Sequence, residues 1–401
     1  MFLEPISNIP THLFCTKFEK IITKAYCAKG LRRFLMKIGI ILDPYGEQKP
    51  AGLGRALLDL VSSMIASSRE DEFLIFAKGD TPPRPNFPGN NWLFHPLGGG
   101  MLWRDRGLAR APRADVYLYY TPMMPMCMRP GKSVVIALDF AYLEVPVRSL
   151  GERLQRYFLR FRHAFSLRSA DAVIAISEAT KQDTMRFFGI SEDKIRVVHF
   201  GFNPVCDTPE EAINTPQKFF LFVGVIKERK NVRAIIRAFQ RFAVRHADYH
   251  LLLAGKAEGE YAEFLRQEAA EGSACDRIQF LGYRSDGEIA YLYRHAAALV
   301  YPSMVEGFGL PILEAMACGT AVITSNVSSL AEIASDAALL ADPEKIEGIA
   351  AAMERIAADP DVRSDLIARG RARAREFAWP KAAREILSLL HTMRSSENSF
   401  S

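Results

Sequence analysis

Short apolar runs alternate along the chain with longer stretches whose apolar residues recur every three or four positions. The runs at 37–43, 72–77, 92–95, 115–120, 133–139 and 170–176 have the length and continuous hydrophobicity of strands buried on both faces. A second series follows at 219–224, 250–255, 278–282, 298–301 and 321–324. Between them, stretches such as 55–67 and 381–392 keep helical spacing, and 170–181 reads as strand, cap and helix with Ser177 well placed as the N-cap. Strands separated by helices predict right-handed βαβ units and parallel sheets, so each series reads as a doubly wound α/β domain. The turn-forming, acidic stretch from Asn203-Pro204 to Pro216 separates them. The expected domains are 36–203 and 204–378, with 379–401 a final helix that crosses back from a hinge at Trp379. Two such sheets facing each other leave a cleft between the carboxyl ends of their strands, where a ligand belongs.

Composition narrows the class without naming a reaction. The 401 residues exceed one ordinary core, and 49% hydrophobic with 24% charged residues describe a folded, water-exposed protein. No apolar run reaches the roughly 20 residues of a membrane span, and a formal charge of +5 is too mild to argue for nucleic acid. Six cysteines, at 15, 27, 127, 206, 275 and 318, show no metal-ligand spacing and fit reduced thiols in a cytoplasmic enzyme. Residues 1–35 have neither an apolar core nor a cleavage site of a signal peptide, and are expected to be a poorly ordered extension before a domain that starts at Met36. Asp359-Pro-Asp361 falls between two expected helices and reads as a turn, not a metal site.

The chemistry concentrates at 300–324. A buried strand ends at Tyr301, a glycine-rich loop follows, Pro311 suits the first turn of a helix and Gly319 suits its end. Such a loop aims backbone N–H groups and the positive end of a helix dipole at the space beyond the strand, which suits a phosphate. Glu306 and Glu314 bracket it, and because carboxylates repel phosphate their natural partners are the hydroxyls of an attached sugar. Taken singly, these residues also fit a mere turn and a dipole-favoured glutamate. After the first strand of the second series, Lys227-Glu-Arg229-Lys230-Asn231 sets a planar guanidinium beside a point charge, a pairing suited to a diphosphate. The loop after the first strand of the chain carries Gly52 and Gly54, but Leu57 stands where a dinucleotide fingerprint needs a third glycine.

Three blocks, 177–201, 224–239 with G-x-x-x-x-R-K-N at 224–231, and 300–343 with EGFGLPILEAMACGTAVITSN at 306–326, resemble the family-4 retaining, nucleotide-sugar-dependent glycosyltransferases, Glu306 and Glu314 forming the E-x7-E signature. The resemblance covers residues 36 to about 390 and implies the GT-B architecture, two Rossmann-like domains facing a cleft. It implies that Arg229, Lys230 and the main chain of Gly307, Phe308, Gly309 and Leu310 hold the donor diphosphate. Gly52 and Gly54 would lie near donor phosphate and acceptor, Glu306 would meet sugar hydroxyls, and Glu314 the ribose or sugar edge. Transfer would need no cofactor and no metal, cationic side chains and a helix dipole standing in for a divalent ion. Its flavour is that of bacterial polysaccharide mannosyltransferases, so the first expectation is mannose moved from GDP-mannose to a glycan or lipid-linked saccharide, with a UDP-sugar as the other donor. The family usually places a His-Asp pair near the reacting carbon, and here Leu138 precedes Asp139. Some members also carry arginine where Val225 stands. These departures motivate the rival reading of a non-catalytic nucleotide-sugar or glycan-binding protein on the same scaffold; a sugar epimerase is a further rival. The segment 177–201 reads as scaffold.

Residues 148–168 form a helical stretch with six arginines, one glutamate and an aromatic stripe at Phe158, Phe161 and Phe165. The spacing predicts a core-facing stripe with a solvated basic back. The other reading is a surface helix drawn to anionic lipid, which would make the enzyme cytoplasmic and peripheral on the inner face of the membrane.

Overall fold

The computed structural model describes residues 36–45, 52–80, 82–100, 102–147 and 149–395. Residues 1–35, Pro50, Arg148 and the tail from 396 therefore lie outside the described residues. The first sheet comprises β1 (Lys37–Leu42), β2 (Glu72–Ala77), β3 (Trp92–Pro96), β4 (Val116–Tyr119), β5 (Lys132–Ala137), β6 (Ala172–Ala175) and β7 (Ile195–Val197), in the order β3-β2-β1-β4-β5-β6-β7. The second comprises β8 (Lys218–Val223), β9 (Tyr249–Ala254), β10 (Ile278–Gly282), β11 (Ala298–Tyr301), β12 (Ala321–Ser325) and β13 (Leu339–Ala341), in the order β10-β9-β8-β11-β12-β13. Every paired strand is parallel. Burial on both faces explains the composition of the central strands: Phe219, Phe220, Leu221 and Phe222 of β8 are all inaccessible to solvent.

Strand order reverses beside the first strand of each sheet, between β1 and β4 and between β8 and β11. A crevice opens outside the carboxyl ends of strands at such a point, because successive connections leave in opposite directions. In the second sheet the two loops at that point are 224–231 and 302–309.

Strand β7, only three residues long, shows no period, and a helix and one further strand escape it as well. Helix Trp103–Arg110 lies in an arginine-rich stretch interrupted by Gly107, which hides its apolar face. The glycine is required, since a Cβ there would stand 2.5 Å from Leu97 Cβ. Strand β13 has only three residues, too few to show a period. The 150–169 helix forms with a Ser149–Glu152 capping box, but it turns inward Arg162, His163, Ser166 and Leu167. Phe158 and Phe161 of its aromatic stripe face solvent and Phe165 is half-buried, so the core-facing expectation is corrected: periodicity shows that a helix has an apolar face, not that this chain covers it.

Several contacts fix one sheet against the other. Arg55 Nη1 pairs with Asp286 at 2.9 Å. The Glu332 carboxylate accepts the first N–H groups of helix Glu178–Phe188, from Glu178 at 2.8 Å and Ala179 at 3.3 Å, and meets His199 Nε2 at 2.6 Å. The segment 177–201 thus does more than fill the scaffold, because it carries half of this clamp. Gly201 and Trp379 are in such close approach that a Cβ on the glycine would stand 2.1 Å from the Trp379 amide nitrogen. Helix Trp379–Ser395 then runs back along helix Leu53–Ser67, with His391 Nε2 2.8 Å from the buried Asp71 carboxylate.

Burial opposes ionisation of Glu332, but His199 and the two amides outweigh it and hold the carboxyl below its ordinary range. A carboxyl whose folded pKa is depressed stabilises the fold above its unfolded pKa of about 4.3 and loses that contribution as pH falls through the folded value. Glu332→Ala should therefore lower stability by about 2–3 kcal/mol at neutral pH, read by urea denaturation, and the difference from wild type should vanish on acidification.

Candidate active site

The loops after β8 and β11 meet around one carboxylate. Glu306 is 8% exposed, and its Oε1 accepts hydrogen bonds from Ser303 Oγ at 2.7 Å, Tyr301 Oη at 3.1 Å and Lys230 Nζ. Its Oε2 pairs with Arg229 Nη1 at 3.0 Å. The loops are also stitched through the Arg229 carbonyl, which accepts from Met304 N at 2.8 Å and Ser303 Oγ at 2.9 Å. Arg229 Nη1 donates back to the Val305 carbonyl at 2.9 Å.

Sequence dictates this local geometry. Glu228–Lys230 is a single 3-10 turn that ends in Asn231 at φ 58°, a left-handed conformation that asparagine tolerates. The Asn231 amide then donates to the Pro302 and Pro343 carbonyls at 3.1 and 2.7 Å, locking the cationic turn against the loop after β11. On the far side, Ser328 and Ser329 each donate a hydroxyl to the Glu306 carbonyl at 2.8 Å, and Glu306 N donates to Ser328 Oγ at 3.2 Å. These serines are site residues that sequence reasoning missed, although they lie inside the block 300–343 that carries the resemblance.

Burial alone would push the Glu306 carboxyl up, but Lys230 and Arg229 reverse the shift and hold it below the ordinary range. Burial, with the neighbouring Arg229, holds the Lys230 ammonium below its ordinary range, against the upward pull of Glu306 and Asp139. Two cations face one buried carboxylate, and Asp139 adds a second negative charge to their field from the other wall. Both Glu306 oxygens have protein donors, and the carboxylate anchors the two cations.

The opposite wall approaches closely. A Cβ on Gly307 would stand 2.1 Å from the Leu138 carbonyl oxygen and 2.9 Å from Asp139 Cβ, so only glycine lets the loop reach the end of the first sheet. Ser177 Oγ donates to the Gly307 carbonyl at 2.8 Å, tying the loop to the N-cap of helix Glu178–Phe188. Asp139 accepts from Ala141 N at 3.2 Å and contributes its charge to the field at Arg229 and Lys230. Leu138, at the position of the family's histidine, is buried.

The remaining predicted residues divide by what their side chains do. Phe308 turns away from the loop into an aromatic cluster, 6.4 Å from Phe200 and 5.7 Å from Phe377, which leaves its main chain to face a ligand. Gly309 takes φ 96° before helix Leu310–Ala317, with Pro311 in its first turn. Glu314 is half-buried and accepts from Tyr293 Oη at 3.2 Å; burial raises its carboxyl, opposed by Tyr293 and Arg55. Gly52 is exposed at φ 54° and begins helix Leu53–Ser67, whose first turn contains Gly54 and sends Arg55 toward Glu314 and Asp286. The structure thus brings Arg229, Lys230, Glu306, Gly307 and Asp139 together, and places Glu314 with the Gly52–Arg55 turn in a neighbouring group. A cavity of about 590 Å³ opens beside Arg229, lined also by Val145, Val225, Lys227 and Tyr261. A larger one of about 720 Å³ lies at the hinge, among Asn203, Arg294, Arg371 and Trp379.

This fold and this site define a sugar-transfer enzyme built on two facing sheets. The model described as Glycosyltransferase Family 4 matches residues 50–205, and the model described as Glycosyl transferases group 1 matches residues 207–373. The chain is 32% identical over 282 residues to an O-antigen chain mannosyltransferase B of Escherichia coli, covering 68% of this chain and 73% of that protein. It is 30% identical over 276 residues to a serotype-specific mannosyltransferase of the same species, covering 66% of this chain and 34% of that longer protein. Among solved structures, a sucrose-phosphate synthase from Thermosynechococcus elongatus superposes with a TM-score of 0.70 at 21% identity, over 90% of this chain and 99% of the other. An Anabaena protein crystallised with UDP-glucose superposes with a TM-score of 0.67 at 18% identity, over 89% and 100%. The chain belongs to this family of glycosyltransferases, and its fold is GT-B.

Glu306→Gln leaves the two cations without their counter-charge. Stability should fall by about 3 kcal/mol in urea denaturation, with added inorganic pyrophosphate restoring part of it. Glu306 stabilises above its unfolded pKa and progressively less as pH falls through the depressed folded value, so the wild-type advantage should shrink on acidification.

Proposed function

We propose that the enzyme moves mannose from GDP-mannose, with retention of configuration and without a metal ion, to a hydroxyl of a growing cell-surface polysaccharide. The observation that carries the transfer chemistry is the convergence of Arg229 and Lys230 on buried Glu306 at the point where strand order reverses. Mannose and the O-antigen class of acceptor are supported by the names of the relatives, which share about a third of their residues with the matched part of this chain.

In this reading the diphosphate of the donor seats against Arg229 and Lys230 and the main-chain amides of 307–310. The bond from the anomeric carbon to the diphosphate oxygen breaks first, and the departing charge is taken up by the two cations and the N-terminus of helix Leu310–Ala317. The acceptor oxygen bonds to the anomeric carbon on the face the diphosphate leaves, and its proton passes to a diphosphate oxygen. No side chain is required as nucleophile. Glu306 holds the cations in place through the reaction, and Asp139 faces them from the acceptor side. The protein acts at the cytoplasmic face of a membrane in this proposal.

A UDP-sugar is the second donor reading, favoured by the fold's likeness to the Anabaena protein with UDP-glucose bound. A thermal-shift panel separates the two: GDP-mannose and GDP should raise the melting temperature in the presence of a chelator, and UDP-sugars should not. Lys230→Ala should reduce transfer by a factor of about 100 or more, a loss typical of removing one preorganised charge from a leaving-group site. Transfer at the wild-type rate by Lys230→Ala, or loss of activity in chelator, would overturn these roles. Donor binding without turnover or donor hydrolysis would mark a binding protein instead.

A further inference from the structure

Helix Leu150–Ser169 presents an apolar stripe to solvent. Leu150, Leu154, Tyr157, Phe158 and Phe161 recur at i, i+4, i+7, i+8 and i+11, a band about 100° wide, and each is 50–75% exposed. Single exposed apolar side chains are ordinary, but five on adjacent turns of one helix are a surface with no partner among the described residues. The stripe is rigidly mounted. Arg162 donates to the Met124 carbonyl at 3.0 Å, His163 Nδ1 meets Tyr142 Oη at 3.1 Å, and Arg156 donates to the Val145 carbonyl, all from the inward side. Exposed Arg153 and Arg160 line one edge of the stripe, and the helix as a whole carries five arginines against one glutamate.

We infer that this helix docks the enzyme on the surface of an anionic phospholipid bilayer. An apolar band one helix face wide, edged by arginines, matches the boundary between acyl chains and negatively charged headgroups. A protein groove would accept the apolar band but gives no general reason for the cationic edge. Tyr157 has the amphipathic ring favoured at that depth. The placement also has a geometric consequence. Val145, which Arg156 holds from the helix, lines the cavity beside Arg229, so a docked bilayer would lie next to the mouth of the donor crevice. That consequence rests on the transfer reading; docking itself does not.

The test uses the full chain without donor. Flotation with vesicles of phosphatidylcholine alone and of phosphatidylcholine with phosphatidylglycerol should show binding to the anionic vesicles, weakened by salt. The double variant F158S/F161S should lower partitioning by about tenfold or more, since two aromatic side chains no longer leave water. R153E/R160E should lower it by about fivefold or more per site, the loss of one surface cation each. Both variants should keep the wild-type melting temperature and the wild-type rate on a water-soluble acceptor, because neither pair touches the site. Absence of wild-type binding to anionic vesicles, equal binding to neutral ones, or wild-type binding by both variants would overturn the inference. So would a concentration-dependent dimer abolished by F158S/F161S without vesicle binding, which would assign the face to a second copy of the chain. If vesicle binding stands while no sugar is transferred, it is the transfer reading that fails.

Discussion

A buried carboxylate cannot stand alone, and Glu306 imposes that constraint on the whole crevice. Removing a charge from water costs several kcal/mol unless opposite charge and hydrogen bonds replace the lost hydration. Here Arg229 and Lys230 supply the charge, and Ser303 and Tyr301 supply neutral donors. The cations come from the loop after β8 and the carboxylate from the loop after β11, so satisfying the ion cluster fixes two loops that are far apart in sequence and adjacent at the switch of strand order. Ser328 and Ser329 hold the Glu306 main chain from a third segment. Gly307, one residue on, is thereby delivered against the Leu138 carbonyl of the other sheet. The position of the facing wall follows from the same cluster.

The cluster also resolves an apparent contradiction between an acidic motif and an anionic ligand. A lone glutamate in this loop would repel a diphosphate. A glutamate held by two cations repels it far less, because its charge is neutralised and the guanidinium and ammonium are oriented before any ligand arrives. Preorganised charge costs no rearrangement at the moment a leaving group departs, which is where such groups contribute most to rate. Burial strengthens the arrangement further, since the surrounding low polarity screens the cations poorly.

The two parallel sheets and the cationic and acidic loops were legible because each rests on a local signal: continuous apolar runs for the strands, and charged or glycine-rich turns at their ends. What was not legible has physical reasons. The ion cluster around Glu306 was not legible, because its partners lie 76 and 77 residues away and sequence spacing says nothing about which charges meet. Ser328 and Ser329 carry no composition signal, as any helix can begin with serines. Helix Trp103–Arg110 was hidden by the glycine its packing requires, and β13 was too short to show a period.

The helix Leu150–Ser169 exposes a more general limit. Amphipathic spacing reports that an apolar face exists, and the usual inference that the protein's own core covers it assumes that the other face is better suited to water. In this helix the opposite face is the one with specific partners, Arg162 to Met124 and His163 to Tyr142, and burial depresses the His163 imidazole to about 4, so that it sits neutral against the core. Once the polar face is satisfied inside, the apolar face has nowhere to go but out. The same rule that places Arg229 and Lys230 around Glu306 governs this helix: specific polar pairing decides what is buried, and hydrophobic area fills the remaining surface. A stripe of leucines and aromatics on the outside then belongs to whatever medium the arginines beside it are drawn to.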